Sequence, residues 1–204
     1  MESRPSSLNL YRSARFELSA ATPKQFPRET GPEVAFAGRS NAGKSSTLNR
    51  LCQQKQLARV SKTPGRTQLV NFFQLSNGAR LVDLPGYGFA KAPEGEIARW
   101  GRLIEAYLSQ RNSLRGLIII MDARRPMREK DRQMLEWSQY HGIPAHIVLN
   151  KADKLKRGEL ARARQKTDAL LRKDFDSVSL QTFSALKGEG IDALHTRLDE
   201  WLVE

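Results

Sequence analysis

The residues best suited to chemistry begin at Gly38. The run Gly38-Arg39-Ser40-Asn41-Ala42-Gly43-Lys44-Ser45 fits G-x-x-x-x-G-K-[ST] without a mismatch. Glycines in such a run let the backbone turn and come close to phosphate oxygens. The backbone N–H groups and the following helix N-terminus then face an anion. Lys44 is expected to reach the β- and γ-phosphates of a nucleoside triphosphate, and the Ser45 hydroxyl to ligate magnesium. A Gly-rich turn without function is the plain alternative. The apolar run Glu33–Ala37 before it and the helical pattern from Lys44 to about Gln54 argue against that alternative.

A second group of residues can read a base. Asn150-Lys151-Ala152-Asp153 follows the apolar run Ala145–Leu149 and fits N-K-x-D. Guanine presents N1–H and N2–H as adjacent donors, and one carboxylate, Asp153, can accept both. Adenine offers no such pair, so the carboxylate would be left unpaired against ATP. Asn150 is expected to tie this segment to the phosphate loop, and the Lys151 stem to lie along the base. Phe183-Ser184-Ala185 ends the next strand, and the Ala185 N–H is the expected donor to the guanine O6.

A third group concerns the γ-phosphate and the metal. Asp83-Leu84-Pro85-Gly86 is D-x-x-G at the end of Arg80–Asp83. Asp83 is expected to hold magnesium through water, and the Gly86 N–H to contact the γ-phosphate. Between the first helix and the second strand lies Ser61-Lys62-Thr63-Pro64-Gly65-Arg66-Thr67-Gln68. Thr67 is preferred over Thr63 as the threonine that completes the magnesium shell, because it follows a turn able to fold over the nucleotide. Gly65, Arg66, Thr67, Gln68 and Leu69 are therefore counted with the nucleotide site. Loops of this type order around the γ-phosphate and relax after its release.

Strands and helices must alternate to position these segments, and the chain reads that way. Strands are expected at Glu33–Ala37, Val70–Leu75, Arg80–Asp83, Gly116–Asp122, Ala145–Leu149 and Val178–Thr182. Helices are expected near Lys44–Gln54, Glu94–Gln110, Arg128–Tyr140, Gly158–Arg172 and Ile191–Leu202. Ser76-Asn77-Gly78 is a tight hairpin signal between the second and third strands. The fold class is α/β: a mostly parallel six-stranded sheet with one antiparallel edge strand and helices on both faces. Residues 1–30 read as an N-terminal arm, with an edge strand around Ala14–Leu18, and 31–204 as a single nucleotide-binding domain. Ligands of open α/β sheets bind at the C-terminal ends of strands, where every motif above falls.

Composition bounds the partners. The chain of 204 residues carries 34 Lys+Arg against 22 Asp+Glu, a formal net charge of +12, which favours a polyanionic partner such as nucleic acid. No apolar run approaches the roughly 20 residues of a membrane span, so no membrane association is expected. Met1 to Arg15 lacks the apolar stretch of a secretory signal. The single cysteine, Cys52, excludes an internal disulfide and fits a reducing cytoplasm. His141, His146 and His195 have no metal-ligand spacing. Trp100, Trp137 and Trp201 read as core or interface anchors.

With these motifs in order, the sequence resembles the EngB-type bacterial GTP-binding proteins (also called YihA or YsxC), translation-factor-related P-loop GTPases. The resemblance runs from about Phe16 to the C-terminus. It rests on the phosphate loop, on Ser61 to Gln68 followed by Asn71-Phe72-Phe73, on Asp83-Leu84-Pro85-Gly86-Tyr87-Gly88-Phe89-Ala90, on Asn150 to Asp153 and on Phe183-Ser184-Ala185. It implies a cytoplasmic, magnesium-dependent GTPase of the P-loop fold that binds GTP and GDP and assists assembly of the large ribosomal subunit, with an associated role in cell division and septation. A monomer is expected, in contact with large-subunit precursors and ribosomal RNA.

The water-orienting glutamine that many GTPases carry after D-x-x-G is replaced here by Tyr87, so intrinsic hydrolysis is expected to be slow. Lys44, Thr67, Gly86 and Asn41 are the residues expected to act on the reacting phosphate. In related GTPases an asparagine at the Asn41 position holds a potassium ion beside the phosphates, which can replace an arginine finger electrostatically. A backbone-bracing role for Asn41 is the alternative. Stimulation by potassium or by the ribosomal particle is expected.

Two basic stretches are candidates for RNA contact. One is Lys154, Lys156, Arg157, Arg162, Arg164, Lys166, Arg172 and Lys173, with Leu160, Ala163, Thr167 and Leu170 as the inner helix face. The other is Arg124, Arg125, Arg128, Lys130 and Arg132. Two further functional readings compete. One is a GTP-dependent binding module whose hydrolysis is incidental. The other is a division factor that binds protein and has no RNA role.

Overall fold

The structure is a computed structural model and describes residues 7–58, 69–87 and 94–203. In chain order the elements are α1 (Ser7–Arg12), β1 (Arg15–Ala20), β2 (Glu33–Gly38), α2 (Lys44–Leu51), β3 (Val70–Gln74), β4 (Arg80–Asp83) and α3 (Glu94–Gln110). They continue with β5 (Leu114–Asp122), α4 (Glu129–Tyr140), β6 (Ala145–Asn150), α5 (Arg157–Asp174), β7 (Val178–Thr182) and α6 (Ile191–Leu202). The strands form one sheet in the order β1-β3-β4-β2-β5-β6-β7. Pairing is parallel from β4 through β7, and β3 is antiparallel to both of its neighbours. The expected α/β architecture is therefore present.

The strand count differs from expectation. The sheet has seven strands, not six, and the antiparallel strand β3 is not at the edge, because β1 covers it. β1 leaves half of its side chains exposed and has a register shift between Phe16 and Leu18. It is the edge strand expected around Ala14–Leu18, and it adds to the six strands counted in the domain. Ladder bonds hold it, together with the Ser19 hydroxyl on Asn71 Oδ1 at 2.6 Å and a bidentate pair of Glu17 with Arg80.

Both faces of the sheet are covered. Ala35, Ala37, Val82, Leu117, Ile119, Ile147 and Leu149 pack with α3, α4 and the end of α5. The alternate residues Val34, Phe36, Leu81, Ile118, Ile120 and Val148 pack with α1, α2 and α6. Strands buried on both faces read as continuous apolar runs, which is why Leu117-Ile118-Ile119-Ile120-Met121 has no polar alternation. On α5 the inner residues are Thr167 and Leu171, with Leu160 and Ala163 half-buried. Leu171, not Leu170, is the position turned fully inward. Cys52 is buried at the end of α2, where burial pushes its thiol up to about 12.

One consequence is a pH dependence of stability. His146 of β6 is buried against Ser179 Oγ at 2.7 Å and Gln181 Oε1 at 3.0 Å, and burial pushes its pKa down to about 4. The unfolded value is about 6.5, so on acidification the unfolded chain takes up the proton first. Stability is thus fully present above about pH 6.5 and is lost as pH falls toward about 4, by roughly 3 kcal/mol. Urea titrations at about pH 7 and about pH 4.5 should show a drop that is about 2 kcal/mol smaller in His146→Gln.

Candidate functional site

The parallel strands end along one edge of the sheet, and their last residues are the ones singled out above. Register places Gly38 beside Ile120, Phe36 beside Asp83, Asp122 beside Asn150 and Leu149 beside Thr182. The strand order reverses at β2, which has β4 on one side and β5 on the other. Ligands of open α/β sheets sit at such a switch point.

The phosphate loop leaves β2 at Gly38 and enters α2 at Lys44. Asn41 has φ 64° and Gly43 φ 101°, both in the left-handed region. A side chain at Gly43 would also collide with the Asn150 amide, so glycine is required there twice over. Asn150 joins three segments: its Nδ2 donates to Ala42 O at 3.0 Å and its Oδ1 accepts from Ala185 N at 3.1 Å. Lys151, also left-handed with φ 64°, donates to Asn41 O at 2.5 Å and pairs with Asp122 at 3.0 Å. The expected tie between N-K-x-D and the phosphate loop is therefore built from two side chains. The Ala185 N–H, expected to face the guanine O6, points at Asn150 Oδ1. The base would have to share or replace that bond.

Asp153 accepts from the Ser184 hydroxyl at 2.6 Å. That bond holds its carboxyl below the usual range, so it is ionised and keeps lone pairs for adjacent donors. Asp122 is likewise held low. Burial works to raise its pKa, but the bonds from Arg124 and Lys151 outweigh burial. Next to Asp153 opens a cleft of about 860 Å³, bounded by Gly43, Asn150, Asp153 and Ala185 on one side and by Asn49 and Arg50 on the other.

Arg50 was not singled out from sequence. Its Nε donates to Ala185 O at 2.8 Å and its Nη2 to Leu186 O at 2.5 Å. A lone arginine late in a helix carries no sequence signal. Its role depends on α2 lying beside the loop after β7. Arg50→Ala should weaken guanine nucleotide binding about 5–10-fold, mostly through faster release, for the loss of about 1 kcal/mol of positioning. Stopped-flow release of a fluorescent GDP analogue measures this.

At the phosphate end Lys44 is ion-paired with Asp83. Beyond Asp83 the backbone turns against the loop. A Cβ on Gly86 would stand 3.6 Å from Gly38 O and Ser40 N, while Tyr87 N donates to Gly38 O at 3.3 Å and Ser40 N to Tyr87 O at 2.9 Å. The Tyr87 side chain turns away from the phosphates into the core. It is 2% exposed, and its hydroxyl donates to buried Asp131 of α4 at 2.9 Å. Burial pushes the pKa of both groups up. Trp100 of α3 donates to Pro85 O at 3.2 Å and lies 5.9 Å from the Trp137 ring. Trp201 instead lies over Gly116.

Gly65, Arg66, Thr67 and Gln68 lie outside the described residues, and Leu69 is half-buried just before β3. Ser45 is the second residue of α2. Among the described residues no group of three or more His, Cys, Asp or Glu could hold a metal. An all-protein metal cage is therefore not built among the described residues. Ser45 and Asp83 supply the few hard oxygens that a magnesium ion shared with phosphates needs, and the Lys44 ammonium on Asp83 shows that a cation fits there. No helix among the described residues is long and apolar enough to cross a membrane.

The family described as 50S ribosome-binding GTPase matches residues 33–151. Over 194 residues the chain is 50% identical to the "Probable GTP-binding protein EngB" of Nitrosococcus oceani, covering 95% of this chain and 97% of that protein. It is 51% identical over 190 residues to the protein of that name in Xylella fastidiosa, covering 93% and 94%. A solved structure of a probable GTP-binding protein EngB superposes with a TM-score of 0.64 at 24% identity, over 82% of this chain and 97% of that one. The structure of Era with MgGDPNP and a 16S ribosomal RNA fragment superposes at 0.62 and 22%, over 87% and 58%, which shows the shared fold. A phosphate loop, a D-x-x-G turn and a guanine-type loop on one sheet edge, with half-identical relatives over nearly the whole chain, give one conclusion: the chain belongs to the EngB family of GTP-binding proteins, which are P-loop GTPases.

Proposed function

We propose that the protein is a magnesium-dependent, slow GTPase whose nucleotide state governs docking on an assembling large ribosomal subunit. The observation that carries this reading is the convergence of Lys44, Asp83, Asn150, Asp153 and Ala185 on one sheet edge, with Tyr87 withdrawn beside them. In it, Asp153 accepts both guanine donors, Asn150 and Arg50 hold the loop of Ala185 in place, and the amides of Gly38 to Ser45 surround the phosphates. Ser45, Asp83 and Thr67 would hold Mg²⁺, which when bound neutralises charge building on the phosphate oxygens.

Lys44 changes partner in this scheme. A bound β- or γ-phosphate draws its ammonium off Asp83 and frees that carboxylate. Nucleotide binding thereby acts on the D-x-x-G turn, whose Pro85 and Tyr87 are bonded to α3 and α4. No glutamine follows Gly86, and the phenol of Tyr87 is engaged with Asp131, so the residue does not orient water. Rate must come from another source of positive charge, where an arginine finger elsewhere supplies about 10³–10⁵. Asn41, exposed at the loop apex, is our candidate to hold a potassium ion in that role. Single-turnover hydrolysis should be at least about tenfold faster in potassium than in sodium at equal ionic strength. Equal rates would assign Asn41 to the backbone alone.

The ribosomal part of the reading is supported by the description of the matching family and by the net charge of +12. Co-sedimentation with large-subunit precursors, in GDP and in a non-hydrolysable GTP analogue, tests it. Retention is expected to differ between the two, and equal retention removes the switch.

A further inference from the structure

The two basic stretches have different fates in the fold. In the stretch around α4, Arg124 is paired with Asp122 at 2.7 Å, and Arg132 with Asp174 at 2.9 Å and with Glu136. Arg132 also lies over the Phe175 ring. Those two cations serve the fold, while Arg125, Arg128 and Lys130 are exposed and, among the described residues, take part in no ion pair, a smaller open group than that on α5. On α5 the three acids are already engaged: Glu159 caps Lys156 N at 2.8 Å, Asp168 holds Arg172, and Asp174 holds Arg132. Arg157, Arg162, Arg164, Lys166 and Lys173 are exposed, and among the described residues none of them takes part in an ion pair.

Helical geometry arranges these cations in two rows. With about 100° per residue, Arg162, Lys166 and Lys173 fall on one flank of the outer face, and Arg157 and Arg164 on the other. Gly158, Ala161, Gln165 and Ala169 lie between them, together with Arg172, which is paired with Asp168. Together the two rows span about 24 Å along the helix, from Arg157 to Lys173. Protein interfaces centre on aromatic and apolar anchors. The exposed large apolar residues among those described are Phe16, Tyr140, Leu186 and Val203, and none is on α5. Unpaired cations without an apolar centre complement a phosphate backbone.

We propose that the outer face of α5 is an anchor for ribosomal RNA whose grip is independent of the bound nucleotide. The proposal rests on the ribosomal reading above and adds a second docking element to it. Independence follows from the packing. α5 lies against β7, and among the described residues none of its side-chain bonds reaches the phosphate loop or the D-x-x-G turn; its side-chain bond to α4, Asp174 with Arg132, is one step removed from the Tyr87–Asp131 contact. The switch then decides productive docking, while α5 supplies constant affinity.

The test uses the full chain and deproteinised large-subunit ribosomal RNA, with filter binding between about 50 and about 200 mM salt in GDP and in a non-hydrolysable GTP analogue. In Arg162→Gln/Lys166→Gln/Lys173→Gln, glutamine keeps helix propensity, and no mutated residue belongs to the nucleotide site. Loss of three phosphate contacts should flatten the log–log salt slope by about 2–3 and weaken binding at least about tenfold at low salt, equally in both nucleotides. Melting temperature and GTP hydrolysis without RNA should not change. An unchanged slope overturns the anchor, and a loss confined to one nucleotide overturns its constitutive nature. If the variant loses precursor particles yet keeps naked RNA, the face takes an acidic protein and the proposal is wrong. Wild-type chain that binds particles but no RNA defeats the anchor alone. Absence of particle binding in both nucleotides defeats the ribosomal reading instead.

Discussion

Asp153→Asn should lower GTP affinity by about 10²–10³-fold and move the preference of the site to xanthosine triphosphate. The carboxylate is offered as acceptor for the two guanine donors, and each charge-assisted bond contributes about 1.5–3 kcal/mol. An asparagine amide presents one acceptor and one donor, so one guanine N–H would meet another N–H. Xanthine carries a carbonyl where guanine carries its amino group and fits that donor. The Ser184 hydroxyl, 2.6 Å from Asp153 Oδ1, can still donate to the amide oxygen, so side-chain placement survives. Competition of GTP, XTP and ATP against a fluorescent guanine nucleotide reads the change. Retained GTP preference in the variant would mean that the base is read elsewhere, for instance by the loop of Ala185 alone. A uniform loss of all three nucleotides would point to collapse of the loop.

The second large effect lies at the other end of the sheet. Glu33, fully buried at the start of β2, is ion-paired with Arg111 and accepts from Arg80 at 3.4 Å and from the Tyr107 hydroxyl at 3.1 Å. Arg80 is 2% exposed and is shared with Glu17 of the edge strand. Arg111 lies over the Phe26 and Phe72 rings and donates to Pro27 O at 2.7 Å. Glu33→Gln keeps the volume but removes the charge that two buried guanidinium groups face. Breaking one partner of a buried ionic cluster costs about 3–5 kcal/mol, because the remaining charges stay desolvated. For a chain of this size that lowers the melting temperature by roughly 6–20 °C. Calorimetry measures it. Nucleotide affinity, measured well below the new transition, should be unchanged, since Glu33 is about 16 Å along β2 from the phosphate loop. A stability loss under about 1 kcal/mol would mean that water or another acid compensates the arginines.

These two residues also show what could and could not be read in advance. Asp153 was legible because its chemistry is local. A carboxylate three residues after an asparagine, at the end of an apolar run, needs only strand direction to be placed at the ligand edge. The same holds for Lys44, Asp83 and Gly86, whose positions follow from the turn directly after a strand. Strand and helix bounds were legible to within a few residues because burial on both faces leaves long apolar runs and hydrophilic caps. Glu33, by contrast, reads as a polar residue at a strand start. Only the fold brings Arg80 to it from β4, Tyr107 from α3 and Arg111 from the loop after α3. Arg50 and Asp131 are of the same kind, each defined by a partner from another part of the chain.

By itself, the sequence determined the α/β alternation, the phosphate loop, the place of the Asp153 carboxylate at the ligand edge and the lack of a glutamine after Gly86. These are set by residue type, local spacing and the direction of neighbouring strands. The tertiary structure decided matters that depend on distant contacts. The arm's edge strand, expected around Ala14–Leu18, pairs with β3, where backbone groups and Arg80 are open to it. The Ala185 N–H turns to Asn150 Oδ1, a contact between the loop after β7 and the end of β6 that only the fold brings together. Tyr87 withdraws to Asp131. In the basic stretch near α4, Arg124 and Arg132 are paired with Asp122, Glu136 and Asp174, while on α5 five cations stay open, because its acids are engaged by Lys156 N, Arg172 and Arg132. Side-chain charge is written in the chain, but whether a charge is already paired is settled only by what packs against it.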